Sequence, residues 1–274
     1  MEYLNNLFNL KNKTAVLTGG GGVLAGEMAK GFLLAGCKAA VLDINEENLK
    51  KRVDALKQVN QNVIGLKCNV LDEASIQKAN DDILNEFGHI DILVNAAGGN
   101  MPGATIAVGQ NIFDLKIEQF KKVTDLNLNG TVMPTLVFGK TMAVQKNGSI
   151  INVSSMAVSR AITRVVGYSA AKAAVENFTR WMAVELASKF EGSVRVNAIA
   201  PGWLVTEQNR LLLTNEDGSL TERGKTVIGL TPFGRFGDPG ELVGTVLFLA
   251  SDAAKFVTGT IIPIDGGFSF FSGV

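Results

Sequence analysis

Apolar residues in this chain come in short unbroken runs rather than in strict alternation with polar ones. Seven runs have strand length, at 14–18, 39–43, 63–68, 90–95, 149–153, 194–199 and 260–264. Strands that are apolar throughout belong in a parallel sheet covered on both faces. Between them, apolar residues recur at helical spacing over roughly 24–35, 46–59, 73–87, 117–144, 168–189 and 239–250. This regular alternation predicts an α/β fold, a doubly wound parallel sheet of about seven strands with helices on both faces. No Ser- or Pro-rich linker and no repeat of fixed period interrupts it, so residues 1–274 read as one domain. Two stretches, 99–116 and 203–237, are too long and too rich in turn residues to be simple connections, and long loops in a compact domain are usually functional.

Composition narrows the function classes. Of the 274 residues 46% are hydrophobic, which can bury a large core, and 26 basic residues balance 26 acidic ones. A chain with no net charge and no basic cluster has no electrostatic footprint for nucleic acid or an anionic membrane. The longest apolar runs are far shorter than a membrane span, and the first residues lack the charged and apolar regions of a signal peptide. A cytoplasmic protein is expected. Cys37 and Cys68 read as small buried hydrophobes, and the lone histidine, His89, has no neighbour with which to hold a metal; no metal site is expected.

Two features carry chemistry. The first strand runs into Thr18-Gly-Gly-Gly-Gly-Val-Leu-Ala-Gly26 and then a helix. Glycines there let the backbone approach a pyrophosphate, and the helix N-terminus offers amide donors and a positive dipole. Asp43, ending the second strand, can accept hydrogen bonds from ribose hydroxyls and repels a 2′-phosphate; with no Arg or Lys following, this favours NAD over NADP. Its alternative is to cap the next helix, for which Asn45 is an equal or better candidate. The second feature is Tyr168-Ser-Ala-Ala-Lys172, with Ser155 thirteen residues upstream of the tyrosine. Tyr and Lys at i and i+4 share a helix face, about 6 Å apart along the axis. An ammonium held beside a phenol lowers its pKa from about 10, toward proton exchange with an alcohol or ketone near neutrality.

Together with Asn95-Ala-Ala-Gly98, Asn127 in Asp-Leu-Asn-Leu-Asn, Pro201-Gly202 with Thr206, and Asp265-Gly-Gly, these motifs resemble the short-chain dehydrogenase/reductase family over nearly the whole chain. The resemblance implies a single-domain Rossmann-like fold and a secondary alcohol–ketone oxidoreductase. It implies Tyr168 as acid/base, Lys172 lowering its pKa and holding the nicotinamide ribose, Ser155 bonding the substrate oxygen, and Asn127 positioning a water. Cofactor contacts would come from Gly19, Gly21, Gly22, Val23, Leu24, Asp43, Asn69, Val70, Asn95, Ala96, Gly98, Pro201, Gly202, Val205 and Thr206. Asn95 is as well suited to pairing neighbouring strands, and Asn127 to bridging a helix kink. The chain departs from the family twice. Val23 and Ala25 replace the last two glycines of the usual turn, implying a slightly wider loop path, and Asn69 stands where an acid usually meets the adenine edge. Family members also commonly assemble, so a homo-oligomer, tetramer or dimer, is expected; the Phe-rich tail at 268–271 would either join that interface or fold over its own cleft.

The substrate is expected to be a small molecule. The 32 positions from Asn95 to Asn127 exceed the usual spacing in the family, placing an inserted segment beside the site. Asn100, Arg160, Arg164, Gln208 and Arg210 would give a polar lining suited to a polyol bearing a carboxylate, since Arg grips carboxylates in a forked geometry. The glycine turn and Ala-Gly-Gly-Asn-x-Pro look like the sugar-acid branch of the family, of the D-mannonate/D-fructuronate type. Alternatives are a gluconate or other polyol dehydrogenase, a 3-oxoacyl thioester reductase, or a silent dinucleotide-binding regulator, which the retained Ser155, Tyr168 and Lys172 disfavour.

Overall fold

The structure, a computed structural model, describes residues 2–206 and 209–274. Seven strands form one sheet in the order β3-β2-β1-β4-β5-β6-β7, and every neighbouring pair is parallel. They are β1 Thr14–Thr18, β2 Lys38–Asp43, β3 Val63–Lys67, β4 Ile92–Asn95, β5 Gly148–Val153, β6 Val194–Pro201 and β7 Ile261–Ile264. The apolar runs are the inner strands: every residue of β1, β4 and β5 is buried. Pro263, which has no amide to give a ladder, sits on β7 at the sheet edge, where such a residue is tolerated.

Helices cover both faces, as the pattern predicted. After the short α1 (Glu2–Leu7) come α2 (Val23–Leu34), α3 (Glu46–Lys57), α4 (Glu73–Phe87), α5 (Ile117–Gln145) and α6 (Val166–Lys189). Alternate strand residues divide between two cores. Leu17, Val41 and Ile151 meet Phe32 of α2 and Leu49 of α3 on one face. Val16, Leu42 and Ile150 meet Ile83 of α4, Phe138 of α5 and Met182 of α6 on the other. Asn45 caps α3 by accepting from the Asn48 amide.

The 203–237 stretch contains two helices that sequence periodicity did not reveal, α7 (Arg210–Leu213) and α8 (Glu222–Gly229). Both are short, and a carbonyl of Leu213 approaches so close to Gly224 that a side chain there would collide with it. The expected helix at 239–250 is instead a 3₁₀ turn, Pro239–Leu242, followed by α9 (Val243–Ala250). Residues 99–116 hold only two 3₁₀ turns, Pro102–Ala104 and Ile112–Asp114, the second closed by an Asn111/Asp114 capping box.

Strand order reverses between β1 and β4, the place where open parallel sheets bind ligands. The loops leaving these strands are fastened together by Thr18, whose buried hydroxyl accepts the amides of Ala96 and Ala97, each at 3.1 Å. Gly19, at φ +65°, passes so near Ala97 that a Cβ would lie 2.8 Å from its Cα. Replacing Thr18 by valine keeps the shape but orphans two buried donors, so Thr18→Val is expected to lose roughly 2–4 kcal/mol in urea unfolding. An unchanged midpoint would show that this fastening carries no stability.

Candidate active site

The C-terminal ends of β1 and β2 shape a cradle. Gly22 caps α2 with no side chain spent on the helix amides, so the first turn keeps donors for an anion. Asp43 reaches back under this turn: its carboxylate accepts the Gly21 amide at 3.0 Å and the Asn45 amide at 2.9 Å. A Cβ on Gly21 would fall 3.0 Å from that carboxylate, so Gly21 is held open by necessity. Ala25 is buried in the first turn of α2, while Gly26 is pressed against the Arg52 guanidinium of α3. Ala25, part of the first departure from the usual turn, thus packs inward at the start of α2. Asn69 accepts the Leu71 amide through Oδ1, and Val70 beside it is buried.

At the β4 end, Asn95 does not line the cleft. Its buried amide donates to the Thr135 and Asn152 side chains, and Asn152 donates on to Thr179, tying β4 and β5 to α5 and α6. The residues after it do face the centre. Gly98, at φ +149°, passes where a Cβ would lie 2.6 Å from Asn127 Oδ1 and 3.5 Å from Lys172 Nζ. Asn127 is fully buried and grips Gly99 from both sides: Oδ1 accepts its amide at 3.0 Å and Nδ2 donates to its carbonyl at 2.9 Å. Nδ2 also reaches the Val123 carbonyl one turn back in α5. Asn127 thus ties α5 to the start of the 99–116 segment.

Ser155, Tyr168 and Lys172 converge as their spacing predicted. Ser155, beyond the end of β5, is buried, and its hydroxyl accepts the Ala157 amide at 3.2 Å. Burial pushes the Tyr168 phenol above its ordinary pKa, and a hydrogen bond with Ser155 opposes that push. Lys172 is 3% exposed, donates to the Val153 carbonyl at 2.7 Å, and lies 5.8 Å from the Tyr168 ring centre. The spacing predicts a fall in the Tyr168 pKa; the direction here is upward, because burial of the phenol dominates. One contributor escaped sequence reading: Glu176, one turn beyond Lys172, is buried and accepts the Ser154 hydroxyl at 2.9 Å, fixing the serine beside Ser155.

The β6 end supplies the floor. Pro201 accepts the Met156 amide at 3.1 Å, binding this turn to the segment after Ser155. Gly202 lies so close to Asp265 that a Cβ would be 2.6 Å from its Cα. The Val205 amide is weakly engaged by the Gly237 carbonyl at 3.3 Å, and the Thr206 amide by Asn209.

The proposed substrate residues separate. Arg160 donates to the carbonyls of Ser269 and Phe271, so it pins the C-terminal tail and is not open to a ligand. The tail folds over its own chain, Phe268 packing edge-on against Trp203 with ring centres 6.5 Å apart. Asn100 spends its amide on Thr105 within its own loop, and Arg210 is exposed on α7. Arg164 exchanges bonds with Ile106, donating through Nε and accepting at its carbonyl, and so joins the 99–116 segment to the entry of α6. Gln208 lies outside the described residues. Cys37 and Cys68 are buried free thiols, Cys37 pushed up to about 12 by burial, and no metal-holding cluster exists among the described residues. No helix among those residues is long and apolar enough to cross a membrane.

The family model described as enoyl-(acyl carrier protein) reductase matches residues 22–269. The chain belongs to the short-chain dehydrogenase/reductase family, whose members bind nicotinamide dinucleotides, and is an oxidoreductase acting on CH–OH groups. It is 43% identical to the Bacillus subtilis oxidoreductase UxuB, over 97% of this chain and 98% of that one. D-threitol dehydrogenase of Mycolicibacterium smegmatis is 33% identical, over 96% of this chain and 95% of its own length. Among solved structures, a Haemophilus influenzae protein provisionally named D-mannonate oxidoreductase, with bound NAD, superposes with a TM-score of 0.89 at 40% identity, covering 97% of this chain and 98% of its own.

The burial of Lys172 has a measurable consequence. Its pKa falls from an ordinary 10.5 to about 8, so between those values the folded chain holds fewer protons than the unfolded one. Stability then rises with pH across that window, because the cost of the buried ammonium is full below about pH 8 and fades above it. In the cofactor-free protein, the melting temperature of the parent should climb relative to Lys172→Met between about pH 8 and 10. A difference that stays flat would refute a charged, buried Lys172.

Proposed function

We propose that the protein interconverts a secondary alcohol and a ketone on a sugar acid, of the D-mannonate/D-fructuronate type, using NAD(H). The observation that carries this reading is the convergence of Ser155, Tyr168 and buried Lys172 beside an anion-ready helix start and a ribose-ready carboxylate. The sugar-acid part draws support from the NAD-bound H. influenzae relative. When bound, the nicotinamide supplies or takes the hydride at the carbinol carbon.

The chain does the rest. In reduction, Tyr168 gives its proton to the developing alkoxide, and in oxidation it takes one from the alcohol. Ser155 shares its hydrogen bond with the substrate oxygen and so sets which oxygen faces the phenol. Lys172 holds the nicotinamide ribose. Asn127, by fixing Gly98 and Gly99, keeps backbone from closing on Lys172. The α2 amides with Gly19, Gly21 and Gly22 hold the pyrophosphate. Asp43 takes the ribose hydroxyls and disfavours a 2′-phosphate, and Asn69 keeps an amide free for the adenine edge. The Thr206 hydroxyl and Val205 hold the carboxamide.

Tyr168→Phe should abolish turnover while leaving NADH binding nearly intact. A panel of ketouronates, keto-gluconates, polyols and 3-oxoacyl thioesters, read with NADH and NADPH, tests the substrate. Oxidation of NADH by the ketouronates supports the reading, and activity on thioesters alone would refute it.

We also propose that the enzyme is a homo-oligomer, a dimer or tetramer. Leu136 and Val144 on α5 and Trp181 and Val184 on α6 are 56–79% exposed, an apolar face of two adjacent helices that water disfavours. Sedimentation should give a multiple of the 29.1 kDa chain, reduced by Trp181→Glu. A monomeric parent protein would overturn this.

A further inference from the structure

Near the end of β6, two arginines, Arg164 and Arg223, form no ion pair with any acid among the described residues. Trp203 directly follows the Pro201-Gly202 turn, which is bonded to the segment leaving Ser155. Over its ring, at 5.4 Å, lies the guanidinium of Arg223 on α8. Arg223 Nε is buried and has no hydrogen-bond partner, and so is Trp203 Nε1. A third orphan, Ser269 Oγ, belongs to the tail that packs on Trp203 through Phe268. Seven such atoms occur among the described residues, and three of them are on these neighbouring segments. A buried donor without a partner is costly, so two such donors and a hydroxyl on neighbouring segments mark a place where a partner is missing.

The charge beside Arg223 is of its own sign. Burial, then the nearby Arg164, pulls the Arg223 pKa down. Three acids of these segments are already engaged: Glu222 pairs with Lys225, Glu241 with Arg235, and both oxygens of Asp265 accept amides of its own turn. Arg164 is held in place through Nε by Ile106, which leaves the end of its guanidinium free to meet a ligand, and it lies just before α6, which begins at Val166 and carries Tyr168. Two guanidiniums kept together without an acid repel each other until an anion lies between them.

We propose that Arg223 and Arg164, walled by Trp203, form the subsite that binds the carboxylate of the substrate. This rests on the sugar-acid reading above and deepens it. Arg223 supplies the fork, using its orphaned Nε and a terminal nitrogen on the two carboxylate oxygens, the geometry in which Arg outperforms Lys. Arg164 adds a second charge beside it. Arg223 rides on α8 and Arg164 is tied to the 99–116 segment, so the carboxylate would bridge two irregular segments of the chain. A neutral polyol gains none of this and leaves both cations unanswered, so the subsite selects acids by rejection as much as by attraction.

The test compares D-fructuronate with D-fructose, which carries CH2OH where the former carries the carboxylate, both reduced with NADH. The parent should prefer the acid, and Arg223→Gln should cut the ratio of kcat/KM for acid over neutral ketose by roughly 10- to 100-fold, mainly through KM. Arg223→Lys should recover part of the ratio and Arg164→Gln should lower it too. An unchanged ratio in Arg223→Gln, with a parent-like melting curve, overturns the proposal. If neither compound is turned over, the sugar-acid reading fails at its substrate, and binding decides the subsite separately. Calorimetric binding of D-gluconate to the enzyme–NADH complex, lost in Arg223→Gln, upholds it; no binding, or equal binding in parent and variant, overturns it.

Discussion

The site is organised around one buried charge. Lys172 has almost no contact with water, and an ammonium removed from water is costly unless something polar receives it. The Val153 carbonyl at the end of β5 does so, which fixes α6 against the sheet at one height and one rotation. Tyr168, one turn before Lys172 on the same helix, is thereby set opposite Ser155, whose position is set by the same strand. The approach of Gly98 is governed by the same ammonium, since a side chain there would crowd both it and Asn127. The lowered pKa of Lys172 is therefore part of the architecture, and the stability given up to keep it is returned as a preorganised proton-transfer site.

Around that charge the polar groups of the core are arranged in a ladder. Thr131 and Thr135 bond back along α5, Asn95 bridges Thr135 to Asn152, and Asn152 bridges to Thr179 of α6. Every rung is buried, so each bond is strengthened by the low dielectric and each broken one is expensive. The ladder locks β4 and β5 to the two helices that carry Asn127 and Lys172. Groups that read as cofactor contacts in the chain, Asn95 above all, here act one step behind the site.

Much of this was legible in the sequence because it is local or periodic. Parallel strands buried on both faces must be apolar along their length, so 14–18 and 149–153 announced themselves. Tyr168 and Lys172 are one helical turn apart, and no other fold is needed to bring them together. What could not be read depends on distant partners. Arg160 looked like a ligand for substrate because nothing near it in sequence accounts for it, yet its acceptors are carbonyls of the C-terminal tail. Helices α7 and α8 are too short to form from propensity, and owe their existence to packing between Leu213 and Gly224. The direction of the Tyr168 shift was missed for the same reason: spacing gave the lysine's proximity, while the burial that dominates comes from the fold.

The same distinction separates the two halves of the cleft. The cofactor half is built from strand ends whose positions follow from the sheet, and its parts, Gly19 to Leu24 and Asp43, lie in continuous motifs. The substrate half is assembled from segments with no periodic signal: the end of β6, α8, the tail, and the 99–116 segment anchored by Asn127 and Arg164. Arg223 has no motif to betray it, and its significance lies in what surrounds it, an indole face, another arginine and an Nε with no partner. A fold that fixes its chemistry in regular elements and leaves recognition to irregular ones can change substrate without disturbing the proton path, because among the described residues the side chains of Ser155, Tyr168 and Lys172 are bonded within their own group and to the end of β5 and the residues just beyond it, not to the segments that would have to change.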